Sequence, residues 1–308
     1  MQSKAVILPR RLAEGKYIGV VALSDPVCGL LQEEQLRRGV GVIEALGFGV
    51  KVGRYVESQN PYERALDFNT FLTESDISAI IAAKGGDSAH HTLSFIDWDS
   101  VSEYPKILLG FSDITVFLNA IYQKTGLITF HGGDVCFGFG KTTNQYDKQE
   151  FINRLSMGKG GIIQPNGKRD TVRGGNAKGK LLGGNLRCLL KLAGTEFFPD
   201  FTDAILFLES YIITPYDCKK YLKELRALSV FEKIKGAIVG FVYSMEVKNH
   251  LDEQMEDILN DLTAEYGFPI LKMRDFGHRI QQTIIPLGVT AKLDATTKTV
   301  ELTDSFLV

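Results

Sequence analysis

The sequence predicts an α/β protein of two domains: an N-terminal three-layer domain built on a parallel sheet, and a second, smaller α/β domain at the C-terminus. Three observations carry that prediction. The chain has 308 residues, more than one ordinary core accommodates. Over roughly the first 130 residues, short apolar runs rich in β-branched side chains alternate with longer helical patterns. A polar, glycine-rich stretch then interrupts the alternation, which resumes less regularly beyond it.

Taken in order, residues 17–23 read as the first strand and residues 30–46 as a helix closed by Gly47 and Gly49. A second strand follows at 50–53, and Pro61 stands at the start of a helix over 61–72. The third strand, 77–83, runs into the loop Lys84-Gly85-Gly86-Asp87-Ser88. A helix at 89–95, a strand at 106–110, a helix over 114–125 and a strand at 127–130 complete the unit. Such alternation implies a parallel sheet with helices on both faces, whose sites lie at the C-terminal ends of the strands. We assign residues 1–140 to this domain. Gly, Lys, Asn and Gln dominate 137–180, and 141–178 is expected to connect the domains. The second domain, 179–308, should contain helices at 185–193, 217–228 and 253–266 and buried strands at 204–208 and 236–242. From Thr283 onward, short strands turn at Gly288 and at 295–297.

Composition narrows the function. Hydrophobic residues make up 44% and charged residues 23%, with a formal net charge of −2, so no basic surface is implied and nucleic acid is not an expected partner. Apolar runs such as 236–242 are far too short to span a membrane, and the N-terminal run is too short for a signal-peptide core. The expected location is the cytoplasm. Cys28, Cys136, Cys188 and Cys218 are irregularly spaced without a C-x-x-C pair, which predicts reduced thiols rather than disulfides or zinc. Neither a metal nor a cofactor is called for.

The most informative segment is Lys106-Ile-Leu-Leu-Gly110-Phe111-Ser112-Asp113-Ile114-Thr115. A buried strand ends at Gly110 and a helix starts just past Ser112, the layout of a nucleophile elbow. The helix N-terminus supplies free N–H groups and partial positive charge for a developing oxyanion. Ile114 stands where the elbow pattern asks for glycine, and serine also caps helices very often, so local sequence leaves both roles open. Ser24 occupies an equivalent place after the first strand and is a rival nucleophile. Gly85 and Gly86 should sit on the same sheet edge, where missing side chains let backbone N–H groups approach a ligand.

A serine nucleophile needs a base, and the base an orienting acid. His90 and His91 begin a helix, His131 ends a strand, His250 lies among charged residues and His278 follows Phe276-Gly277. Glu209 puts a carboxylate at the C-terminal end of a buried strand. Metal binding by His90 and His91 is disfavoured because adjacent helical residues point apart. Two near-matches to a phosphate loop fail. Val135 replaces the first glycine before Gly140-Lys141-Thr142, and Leu181 replaces the hydroxyl residue after Gly179-Lys180.

Five stretches, in order, resemble the LD-carboxypeptidases, a family that includes murein tetrapeptide carboxypeptidases and microcin C immunity peptidases. They are Gly110-Phe-Ser-Asp-Ile-Thr115, Gly183-Gly-Asn-Leu186, Ala193-Gly-Thr-Glu196, Leu206-Phe-Leu-Glu-Ser210 and Phe276-Gly-His278. The resemblance runs from about Ile18 to Leu302. It implies a serine peptidase with Ser112 as nucleophile, His278 as base and Glu209 as orienting acid, in a cleft between the domains. It further implies an oxyanion site from the Asp113 N–H and one N–H of the Gly85-Gly86 loop, and a homodimer. Leu23, Lys84 and Asp87 depart from the family's usual residues, and Ser210 after the acid is closer to the immunity branch. The only tryptophan, Trp98, precedes the nucleophile strand and is read as structural; 137–180 contains no tryptophan, whereas immunity peptidases that stack an adenylate tend to carry an aromatic platform there. The implied substrate is a muropeptide that loses a terminal D-amino acid. A peptidyl- or aminoacyl-adenylate is the alternative substrate, and a non-catalytic small-molecule binder the alternative of another class.

Overall fold

The computed structural model describes residues 5–141, 145–248 and 252–308. In the first half, strands β1 (Tyr17–Val21), β2 (Gly49–Val52), β3 (Ile77–Ala82), β4 (Ile107–Gly110) and β5 (Thr129–His131) form the parallel part of a six-stranded sheet. They alternate with α1 (Leu30–Ala45), α2 (Pro61–Thr73), α3 (Ala89–Leu93), α4 (Trp98–Glu103) and α5 (Thr115–Thr125). β4 is buried at every position, which explains its unbroken apolar run: a strand covered on both faces has no reason to alternate. Helix α1 packs on a π-helical turn at Val135–Phe139, whereas α2 to α5 pack among themselves, so the sheet carries two separate helical layers.

The second half contributes α6 (Gln145–Phe151), β6 (Gly161–Ile162), β7 (Arg169–Arg173), β8 (Asn176–Asn185), α7 (Leu186–Leu190), β9 (Ala204–Ser210), α8 (Pro215–Ala227), α9 (Val230–Lys233), β10 (Gly236–Val242), α10 (Met255–Leu262), β11 (Ile270–Gly277), β12 (Ile285–Leu287), β13 (Thr290–Asp294) and β14 (Thr299–Leu302). Its eight-stranded sheet has the order β6-β14-β13-β8-β9-β10-β11-β7. β8, β9, β10 and β11 are mutually parallel, and the outer strands pair antiparallel. Within the expected connector, residues 145–178 supply α6 and the two edge strands β6 and β7. Edge strands face water, and half-exposed residues such as those of β7 explain the polar composition there.

Strand β9 shows why the halves cohere. Ile205 and Phe207 join the large core shared with the first sheet, while Leu206 and Leu208 point into a second core beneath α8 and α10. The chain then returns, for β12 pairs antiparallel with β5 and closes the edge of the first sheet. Pro286 is tolerated in it because an outermost strand has no neighbour for its missing N–H. The C-terminus also comes back, with the Val308 N–H donating to the Pro9 carbonyl at 3.1 Å and the Arg11 N–H to the Val308 carbonyl at 2.9 Å. Among the described residues, no helix is long and apolar enough to cross a membrane.

Candidate active site

Ser112 lies just past the end of β4 and opens a 3-10 turn, Ser112–Ile114, that leads into α5. Its φ of 60° is left-handed, a conformation that costs a residue with a side chain of order 1–3 kcal/mol and clusters at functional sites. The unexpected Ile114 has a local explanation. A Cβ on Gly110 would lie 2.7 Å from Ile114 Cγ2, so Gly110 supplies the room that an elbow glycine at position 114 would otherwise leave.

The second sheet delivers the partners. Glu209 near the end of β9 is in register with Asn185 at the end of β8, and His278 directly follows β11. His278 Nε2 lies 3.0 Å from Ser112 Oγ, and Nδ1 lies 2.6 Å from Glu209 Oε2. Glu209 is fully buried, and its Oε1 accepts from Asn185 Nδ2 at 3.0 Å. Burial pushes the Glu209 carboxyl up, but the charge and hydrogen bond of His278, together with His131 and Asn185, outweigh it and hold the group below the usual range. An ionised Glu209 can only accept, so Nδ1 carries the proton and Nε2 is left to receive one from the serine. The Tyr211 ring stacks on the imidazole at 4.8 Å with 16° between planes. A hydroxyl facing an imidazole that a carboxylate orients can serve as a nucleophile.

Around the serine, the loop after β3 is fixed by carboxylates. A Cβ at Gly85 would stand 2.9 Å from Ser112 Cβ and 3.1 Å from its Oγ, so only glycine lets the loop approach this closely. The Gly85 N–H, however, is turned to Asp134 Oδ2 at 3.2 Å. Of the glycine pair, only the Gly86 N–H lacks an acceptor among the described residues. The Asp113 N–H begins a helical turn, where backbone donors have no partner within the helix. Asp134 also accepts from the Phe137 and Gly138 N–H groups, yet complete burial drives its pKa up to about 6.

Lys191 bridges the two loops. Its ammonium donates to Asp113 Oδ1 at 2.6 Å, to Asp87 Oδ1 at 2.5 Å and to the Asp87 carbonyl at 2.8 Å, while Arg187 pairs with Asp87 as well. Asp113 Oδ2 takes the Ser24 hydroxyl at 2.6 Å and the Ala89 N–H at 2.9 Å. Ser24 is thus a buried donor to a carboxylate and, among the described residues, makes no hydrogen bond to a histidine, so its rivalry with Ser112 ends there. Lys84 Nζ reaches the Pro26 carbonyl and Gln32 Oε1.

Of the remaining candidates, His90 and His91 are exposed with ring centroids 3.9 Å apart, and His250 lies outside the described residues. Gly179 and Lys180 lie within β8 rather than in a loop before a helix. His131 is fully buried against Phe111, Phe207 and Phe276, and neither of its nitrogens has a hydrogen-bond partner among the described residues. Asp134, Lys191 and Tyr211 escaped sequence reasoning. Only Tyr211, two residues beyond Glu209, and Asp134, after the glycine pair 132–133, stood near a strand end that could have flagged them. Ser112 and His278 open onto a cavity of about 720 Å³ lined also by Gly86, Asp134, Phe137, Tyr211 and Arg279.

Comparison with known proteins is consistent along the whole chain. Residues 18–132 match the LD-carboxypeptidase N-terminal domain and residues 178–293 the LD-carboxypeptidase C-terminal domain. A probable murein peptide carboxypeptidase of Bacillus subtilis (strain 168) is 28% identical over 299 residues, covering 94% of this chain and 92% of the relative. The microcin C7 self-immunity protein MccF of Escherichia coli is 27% identical over 335 residues, covering 98% and 97%. The solved structure of MccF in complex with aspartyl sulfamoyl adenosine aligns with a TM-score of 0.88 at 27% identity, covering 98% of this chain and 100% of that one. Fold and family models together define a two-domain α/β serine peptidase. The chain belongs to the LD-carboxypeptidase family.

Proposed function

We propose that the protein is a cytoplasmic LD-carboxypeptidase that removes a terminal D-amino acid from a muropeptide, with Ser112, His278 and Glu209 as its catalytic triad. Residues 1–140 contribute the nucleophile, and residues 179–308 the acid and base. The observation that carries the reading is the unbroken chain from Ser112 Oγ through the imidazole to Glu209 at the cavity wall. In this mechanism His278 takes the hydroxyl proton as Ser112 Oγ attacks the carbonyl carbon of the L,D-amide. The oxyanion forms between the N–H groups of Asp113 and Gly86. His278 then protonates the leaving amine, the amide C–N bond breaks, and the D-amino acid departs from an acyl-serine. Water, deprotonated by the same imidazole, hydrolyses the ester and restores the enzyme.

Purified murein tetrapeptide provides the test, with free D-alanine read by mass spectrometry. Wild-type protein should release it, and Ser112→Ala should lose activity by about 10^4-fold or more. No release by wild type, or equal release by the variant, ends the muropeptide assignment. The likeness to MccF supports an adenylate substrate as the second reading, so an aminoacyl-sulfamoyl adenylate is assayed in parallel, and selective hydrolysis of that compound transfers the assignment. A fluorophosphonate that labels wild type but not Ser112→Ala separates either peptidase from a mere binding protein. The family likeness also supports a homodimer, for which light scattering on a sizing column should give about twice the 34.2 kDa chain mass.

A further inference from the structure

The leaving group of a carboxypeptidase carries a free α-carboxylate, one carbon away from the nitrogen that His278 must protonate. That carboxylate therefore comes to rest in the cavity beside the imidazole. Three cations line the cavity: Lys84, Lys141 and Arg279. Lys84 is buried and directs its ammonium to the Pro26 carbonyl and Gln32. Lys141 lies 4.6 Å over the Phe137 ring. Arg279 is the residue next to His278, so the two Cα atoms are about 3.8 Å apart.

The state of Arg279 is unusual for a surface arginine. Its φ is 65°, a left-handed conformation that a residue with a side chain holds only when its surroundings impose it. Nε and Nη2 donate to the Tyr211 hydroxyl at 3.0 and 2.8 Å, and the guanidinium covers the Tyr211 and Tyr243 rings at 5.5 and 4.9 Å. All these partners are neutral, and among the described residues no carboxylate lies within 4 Å of it. Guanidinium has five N–H donors, so three stay available for an anion. Tyr211 is stacked on His278 at the same time, so one aromatic ring sets the spacing between imidazole and guanidinium.

Resting on the peptidase reading above, we propose that Arg279 binds the free α-carboxylate of the residue to be released and so restricts the enzyme to unblocked peptide C-termini. The planar fork of arginine suits a carboxylate in two-point contact, which a lysine ammonium matches only as a point charge.

Calorimetry on protein that cannot turn over keeps this inference separate from the activity. In the Ser112→Ala background, the murein tetrapeptide acid should bind at least tenfold tighter than its C-terminal amide. Adding Arg279→Gln should bring the acid-to-amide ratio close to one, and adding Arg279→Lys should restore part of it. Equal affinity for acid and amide in the Arg279 protein, no binding of the acid, or a ratio unmoved by Arg279→Gln overturns the inference. Should wild type release no D-alanine while the Arg279-dependent acid preference persists, the peptidase reading fails and carboxylate recognition survives.

Discussion

His131 occupies a place where a histidine is expensive to keep. Burial lowers its pKa from 6.5 to about 4, so it is neutral behind Glu209 and His278. An unfolded chain takes up a proton below about pH 6.5, whereas the folded one refuses it until about pH 4. The stability present above pH 6.5 is thus lost as pH falls through that window, on the order of 3 kcal/mol in all. Asp134 acts in the opposite sense, since its raised pKa means that the folded chain gains a proton near pH 6. Comparing variants isolates the histidine: His131→Phe, which keeps the aromatic edge contacts, should melt with a visibly weaker dependence between pH 6.5 and 4 than wild type. An unchanged dependence would refute the assignment. Glu209 makes a second prediction at this scale. Glu209→Gln retains the shape but cannot hold the same imidazole tautomer, and kcat should fall by about 10^3- to 10^4-fold with little change in KM.

At the level of elements, the loop after β3 and the turn after β4 work as one unit because Lys191, from the other half of the chain, grips both. Gly85→Ala would push that unit apart, and kcat should drop by roughly 10^2-fold if the neighbouring Gly86 N–H is the oxyanion donor proposed above. Lys191→Met should reduce kcat by roughly 10- to 100-fold at similar KM, with Lys191→Arg recovering part of the loss. Steady-state kinetics checks both, and a pure rise in KM would argue against the clamp. This clamp also marks where sequence reading stops. Apolar runs and glycine or proline punctuation made β1, β3, β4, β9 and β10 legible, because burial on both faces leaves an unmistakable pattern. β11 was not, since Lys272, Arg274 and Asp275 make it look polar. Lys272 is nevertheless fully buried, satisfied by the Gly240 carbonyl, Glu246 and Glu256. Ser112, Glu209 and His278 could be picked out from strand ends and family likeness together. The Asp87–Lys191–Asp113 link joins residues up to 104 positions apart, and no local signal encodes such a contact.

For the whole molecule, the two sheets share one apolar core, in which Leu109 and Phe130 of the first join Ile205 and Phe207 of the second. Trp98 of the first half stacks on Phe197 of the second at 5.2 Å, so its fluorescence reports their junction. Thermal unfolding followed by that fluorescence and by far-UV circular dichroism should therefore give a single coincident midpoint; two separate transitions would show independent units. The returning strand β12 has a consequence for anyone dividing the gene. A fragment ending near residue 132 looks like a finished module, yet it would leave the outer rim of β5 with bare amides and carbonyls. Strands exposed in that way recruit copies of themselves. The piece should come out of cells as insoluble matter, and a synthetic peptide spanning 283–289 would be the natural additive to keep it in solution.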